Sequence, residues 1–177
     1  MSPLVQSAMR AEVEALLDST GLLLDWRLLG TQTGTEVHTN LYVIRFRGHC
    51  HTRDLRVLYS ELGPYGDPTI LGLSHTSDNN ILPFGQIDCD NVRRSIAAAA
   101  LSREESQREA VLGRALGRVF AHELFHMMTG RSGHSRKGVF KASQRREDLT
   151  SARLEFETGE LEELRQLARR IAGHKQN

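Results

Sequence analysis

Cysteine is scarce in this chain: Cys50 and Cys89 are the only two in 177 residues. A pair so widely separated is neither a CxxC zinc knuckle nor a CxxC redox motif, which moves the search for function away from thiol chemistry. Two small buried thiols are expected, with a single disulfide as the alternative if the protein works outside the cytosol. Charge of one sign is lacking as well, since 23 Lys and Arg stand against 22 Asp and Glu. That balance gives no field to draw the chain onto nucleic acid or an anionic membrane, so neither is expected as a partner. Long apolar runs are missing too. Gly21 to Leu24 and Ile96 to Leu101 are the longest, far too short to span a bilayer. The first residues lack the basic and then apolar order of an export signal. A cytoplasmic monomer is the default expectation, or a secreted one whose leader has been removed.

What is present suits one domain over residues 1–177, long enough to bury a real core without staples. Ser2-Pro3 reads as a helix opening, Leu4, Ala8, Ala11, Leu16 and Leu17 as its apolar face, and Gly21 as its stop. Leu22 to Leu28, Leu41 to Phe46 and Leu55 to Tyr59 read as strands, with loops at Gly30 to Thr35 and Gly63 to Pro68. Two short strands follow, Ile70 to Ser74 and Phe84 to Cys89, separated by turn residues His75 to Asn80. From Asn91 the pattern is helical, and the four alanines at 97–100 suggest a close packing surface. Ser102 to Glu105 has the form of a capping box opening a long helix. Val111, Ala115, Val119, His122 and His126 make its inward stripe, and Gly130 is placed to end it. Ser143 is expected to cap a short helix around Glu147 to Arg153, and Thr158 another from Glu160 to Ala172 that covers the core.

The most specific feature lies on the long helix. Residues 122–126 read His122-Glu123-Leu124-Phe125-His126, an HExxH set. Imidazoles four positions apart stand on one face of a helix, so both can reach one metal ion with Glu123 beside it. Zinc at a catalytic site takes three protein ligands and leaves a fourth position to water. His122 and His126 would be two, and the third is sought a short turn or one helix later. His134 is the leading choice, with Glu147 or Asp148 as the gluzincin-like alternative. Glu123, next to the metal without binding it, would be the general base.

The segment His126-Met-Met-Thr-Gly130-Arg-Ser-Gly-His134 resembles the metzincin pattern, in which a glycine breaks the helix and a third histidine returns to the metal. The usual spacing is HExxHxxGxxH, and this chain has one more residue on each side of the glycine, a difference that Gly133 could absorb. Gly138-Val139-Phe140-Lys141-Ala142 is similar to the turn that carries a methionine beneath the metal, with Phe140 as an aromatic floor in its place. Around Leu71 to Asp90 and Gly113 to Ala142 the chain looks like small bacterial metzincin-like metalloproteases. The resemblance implies an α+β zincin fold: a mixed, twisted sheet packed on an N-terminal helix and a long active-site helix, with helices at the C-terminus. It also implies zinc as cofactor and peptide or protein as substrate. The segment Ile81 to Cys89 would be the edge strand that pairs with extended substrate. A noncatalytic protein keeping the fold or the zinc is the alternative from another class, and the intact Glu123 argues against it. A zinc hydrolase acting on RNA fits less well, because the three-histidine enzymes of that kind resemble HGxxH.

Weaker signals remain. His38, His49, His51 and His75 are scattered through the sheet region, and His49-x-His51 would share a face of a strand, although ordinary polar roles are expected. Arg131, Arg136, Lys137, Lys141, Arg145 and Arg146 crowd the region after the long helix and are expected to form a solvated face.

Overall fold

A computed structural model describes residues 1–30, 40–61 and 70–174. Residues 31–35 of the first expected loop, His38 and the turn cluster 63–68 lie outside them. Helix α1, Pro3–Leu17, begins as its sequence dictates, with the Val5 N–H donating to Ser2 Oγ at 3.2 Å and proline in the first turn. Val5, Met9, Val13 and Leu17 repeat every four residues and are its buried stripe. After a 3-10 turn, Gly21 takes the left-handed backbone (φ 79°) that ends the element.

Residues 22–28, expected as a strand, are not among the strands of the described sheet. They run with Leu22, Leu24 and Trp26 half-buried against the core and Leu23, Asp25 and Arg27 exposed. The two-residue period is real, but it reflects one side lying on the core. Trp26 anchors the segment, donating from Nε1 to Glu14 at 2.9 Å and meeting the Phe120 ring at 5.0 Å.

The sheet has three strands, β1 (Val43–Arg47), β2 (Gly72–Ser77) and β3 (Asn80–Asp88), in the order β1-β3-β2. β1 runs parallel to β3, from Val43 opposite Phe84 to Arg47 opposite Asp88. β2 runs antiparallel to β3 through a tight turn at Asp78 and Asn79, whose φ angles of 50° and 63° are those of a primed hairpin turn. The turn chemistry expected over His75 to Asn80 therefore shrinks to two residues, and both strands lengthen. The segment from Ile81, expected as an edge strand, belongs to the central strand, and β1 and β2 are the two edges of the described sheet.

Helix α2, Leu55–Glu61, forms where a strand was expected. Leu55 and Leu58, three apart, pack against Ala97 and Ala100, so helical spacing wins over the alternation of Leu55, Val57 and Tyr59. Its partner is α3, Cys89–Ala100, opened by Asp88, which accepts the Asn91 N–H at 2.9 Å. The alanine run is the close surface its composition suggested. The parallel register of β1 and β3 brings the residues beyond Arg47 and Asp88 side by side, and Cys50 and Cys89 are joined in a disulfide with Cα atoms 5.0 Å apart. This replaces the expected pair of free thiols.

The long helix α4, Glu105–Thr129, starts later than expected. Residues 101–103 stay wound on the end of α3, through Leu101 N–H to Ala97 O and Arg103 N–H to Ala100 O, both 3.0 Å, so the Ser102 capping box does not form and Glu104 is the cap. α4 runs between β2 and β3 on one side and α1 on another. Its approach to α1 depends on glycine: a Cβ at Gly117 would stand 2.7 Å from the Met9 carbonyl oxygen. Gly117→Val is therefore expected to push the two helices apart and destabilise the protein by about 1–3 kcal/mol, read as a lowered thermal midpoint.

A buried charge ties three helices together. Arg118, 1% exposed, donates from Nε to Glu12 Oε1 on α1 at 2.7 Å. From Nη1 it reaches the Asp148 carbonyl on α5, Arg146–Thr150, at 2.5 Å, and Ser151 Oγ at 3.1 Å. α5 is shorter than expected and is opened by the Arg145 N–H donating to Asp148 Oδ2 at 2.7 Å, not by Ser143. α6, Thr158–His174, is the last described element and buries Leu164 fully. Among the described residues no helix is long and apolar enough to cross a membrane.

Candidate metal centre

The last two turns of α4 carry His122, Glu123 and His126 towards a cleft of about 340 Å³. α4 lines it through Val119, β2 forms one wall, and residues 141–144 form another. Gly130 ends α4 in the left-handed conformation (φ 70°), its N–H donating to the His126 carbonyl at 2.9 Å. The chain then turns back, and His134 reaches the same place. One nitrogen from each of His122, His126 and His134 lies within 4.8 Å of the others, and no other such group of three occurs among the described residues. The extra residue on each side of Gly130 thus does not keep His134 from the histidine pair.

Hydrogen bonds decide which nitrogens face one another. His122 Nδ1–H donates to the Val139 carbonyl at 3.0 Å, and His126 Nδ1–H to the Arg131 carbonyl at 2.6 Å. A carbonyl only accepts, so the proton of each neutral ring is on Nδ1 and the Nε2 lone pair is left free. Those Nε2 atoms converge: His126 Nε2 is 3.2 Å from His122 Nε2 and 3.1 Å from His134 Nε2. The lone pairs of His122 and His126, aimed at one another at 3.2 Å, repel unless a cation lies between them. Burial lowers all three imidazoles, His122 to about 4, so a shared proton is disfavoured at neutral pH. The donor set suits a divalent ion that accepts imidazole nitrogen.

Phe140, fully buried, is the floor. Its ring centroid lies 5.2, 4.6 and 5.2 Å from those of His122, His126 and His134. An aromatic side chain here packs against all three imidazoles. The carboxylate alternatives are placed elsewhere: Asp148 is paired with Lys141 and caps α5, and Glu147 is exposed.

Glu123 is 4% exposed. Ser74 on β2 donates its hydroxyl to Glu123 Oε2 at 2.8 Å and stands 3.2 Å from the Glu123 carbonyl oxygen. Burial pushes the carboxyl up to about 7, against the pull of that hydrogen bond. Close approach of β2 is allowed by Gly72, where a Cβ would lie 2.8 Å from Glu123 Oε1. Sequence reasoning reached neither Ser74 nor Gly72. A serine and a glycine two apart in a short strand give a one-face pattern and nothing to mark it as facing a carboxylate.

Among the described residues the other histidines do not assemble a second centre. His49 and His51 follow the end of β1, and the His49 N–H donates to Asp90 Oδ1 at 3.2 Å. His75 is exposed on β2 at its register shift. Within the basic cluster Arg131 is ion-paired with Glu163 at 3.5 Å, Lys137 with Glu157 at 3.9 Å and Lys141 with Asp148. Comparison with protein-family models, with curated proteins and with solved structures returns no match for this chain.

Proposed function

We propose that this chain is a zinc-dependent metallopeptidase with a zincin-like, metzincin-like arrangement. In this reading His122, His126 and His134 hold the metal, and Glu123 is the general base. The observation that carries the reading is the convergence of three Nε2 atoms, two of them left with free lone pairs by Nδ1–H donation to carbonyls, beside a buried carboxyl raised to about 7. Bound there, zinc would acidify a water molecule and polarise a scissile carbonyl.

The chain's own residues do the rest. Glu123 has its proton affinity brought near neutrality by burial, which suits a group that takes a proton from water and returns it to a leaving amine. Ser74 holds Oε2, which fixes the plane of the carboxylate. Among the described strands β2 is the edge along the cleft, and its side away from β3 is where an extended peptide would add as a further strand, supplied by Gly72 to Thr76. Lining by Leu71, Leu73 and Ile81 makes the β2 side of the cleft apolar and suited to apolar peptide side chains. The gluzincin-like alternative finds no support in the placement of Glu147 and Asp148.

The test is zinc content and peptide cleavage after purification and dialysis. Wild-type protein is expected to retain stoichiometric zinc and cleave an unstructured peptide. His134→Ala is expected to lose at least about a hundredfold in zinc affinity and its turnover with it, more than the usual cost of removing an outer partner. Normal zinc in His134→Ala together with loss in Glu147→Ala would give the third position to Glu147.

A further inference from the structure

His134 is the least supported of the three histidines. His122 and His126 project from a helix and have Nδ1 tied to a carbonyl, whereas His134 is exposed in a segment between helices, and among the described residues no hydrogen bond holds its Nδ1. Gly133 before it has open space where a side chain would be. The ring packs on Phe140, but packing on a flat face leaves its backbone free to slide. Something else must fix residues 131–135.

The C-terminal helix α6 supplies it with two carboxylates almost one turn apart. Glu160, in its first turn, is only 1% exposed. Its Oε2 accepts the Glu157 N–H at 2.7 Å, and its Oε1 takes the hydroxyl of Ser135. Ser135 is the neighbour of His134, and its N–H donates to the carbonyl of Phe140 at 3.0 Å. Arg131 lies at the other end of the segment. It donates from Nη2 to Ser135 Oγ at 3.3 Å and from Nη1 to Glu163 at 3.5 Å, with its guanidinium 5.0 Å from the Phe140 ring centroid. Its carbonyl is the acceptor for His126 Nδ1. One network from α6 therefore reaches the backbone on both sides of His134 and the partner of His126.

A carboxylate kept from water is costly unless its oxygens are bonded, and here one oxygen caps the start of α6 while the other is spent on Ser135. We infer that Glu160, acting through Ser135, is a positioning residue for the His134 ligand, and that α6 is a working part of the centre and not merely a cover over the core. The inference rests on the reading of His134 as a metal ligand. Partners behind a ligand restrict its orientation before the metal arrives, and their loss weakens metal binding while leaving the ligand in place.

The experiment is zinc affinity by competition with a chromophoric chelator, with thermal melting of the zinc-free protein alongside. It compares wild type, Ser135→Ala, Ser135→Thr, Glu160→Gln and, as a control on the same helix, Glu162→Ala. Glu162 is half-exposed and paired with Arg169 at 2.7 Å. Ser135→Ala and Glu160→Gln are expected to bind zinc about 10- to 100-fold more weakly. Ser135→Thr, which keeps the hydroxyl, is expected to stay close to wild type, as is Glu162→Ala, and zinc-free Ser135→Ala to melt near the wild-type temperature. Should Glu160→Gln fail to fold, Ser135→Ala and its threonine rescue decide alone. Wild-type zinc affinity in Ser135→Ala overturns the inference, as does a loss that threonine fails to restore and that follows a fall in melting temperature. A wild type that binds no zinc overturns the reading of the centre itself, a separate result.

Discussion

Glu123→Gln is expected to keep its zinc and lose about 10²- to 10⁴-fold in kcat, the usual contribution of a positioned general base. The substitution preserves shape and volume in a place where the side chain is 4% exposed. The amide oxygen can still accept the Ser74 hydroxyl that now lies 2.8 Å from Oε2, so the contact between β2 and α4 survives. The three imidazoles and their carbonyl partners are untouched. Only basicity is lost, and with it the group that receives a proton from water. Zinc content by metal analysis and single-turnover cleavage separate the two properties. Activity within about tenfold of wild type would remove Glu123 from the chemistry, whatever the metal content. The sign of the pH dependence follows from the same residue. Burial raises the carboxyl to about 7, so on acidification it takes up its proton and ceases to be a base, and the rate falls on the acid side. A cation beside it would pull that limb to lower pH.

The centre was legible in the sequence to the extent that it lies on one helix and its immediate return. HExxH on an inward stripe, Gly130 as the stop and His134 as the returning residue are local patterns, and the structure gathers those three histidines. Phe140 as an aromatic floor was legible from the turn in which it stands. Whatever depends on two distant segments meeting was not. Cys50 and Cys89 are 39 residues apart, and only the parallel register of β1 with β3 makes them neighbours. Ser74 matters because β2 lies outermost beside α4, a fact of strand order that no alternation of residues encodes. The same blindness placed the substrate-pairing edge on the strand from Ile81. Leu55 to Tyr59 failed for another reason, since its apolar residues fit both a strand and a helix face. Contact of Leu55 and Leu58 with the α3 alanines decided it.

The largest expected effect on stability belongs to Arg118. Its guanidinium is 1% exposed and spends its donors on three partners: Glu12 on α1, the Asp148 carbonyl on α5, and Ser151 just beyond. Arg118→Ala removes the cation, leaves Glu12 without its closest partner and opens a void between helices. A loss of about 3–5 kcal/mol is expected, the usual cost of breaking a buried pair from one side. Arg118→Lys keeps the charge, but a single ammonium cannot span the forked geometry that reaches Glu12 and Asp148 together, so it should recover only part of the loss. The more searching variant changes both partners. Glu12→Leu with Arg118→Met replaces the pair by apolar side chains, and since a buried pair is weak evidence for net stability, the double variant is expected to recover most of what the single one loses. Urea unfolding of the three variants measures this directly, and a loss below about 1 kcal/mol in Arg118→Ala would mean that the pair is screened by water. The effect should also reach the cleft. Arg118 stands one helical turn before His122 on α4, and through Asp148 it holds the short helix whose side chain pairs with Lys141 on the cleft wall. Loosening that anchor is therefore expected to weaken zinc binding in Arg118→Ala, and in the double variant too, because methionine cannot donate to the Asp148 carbonyl.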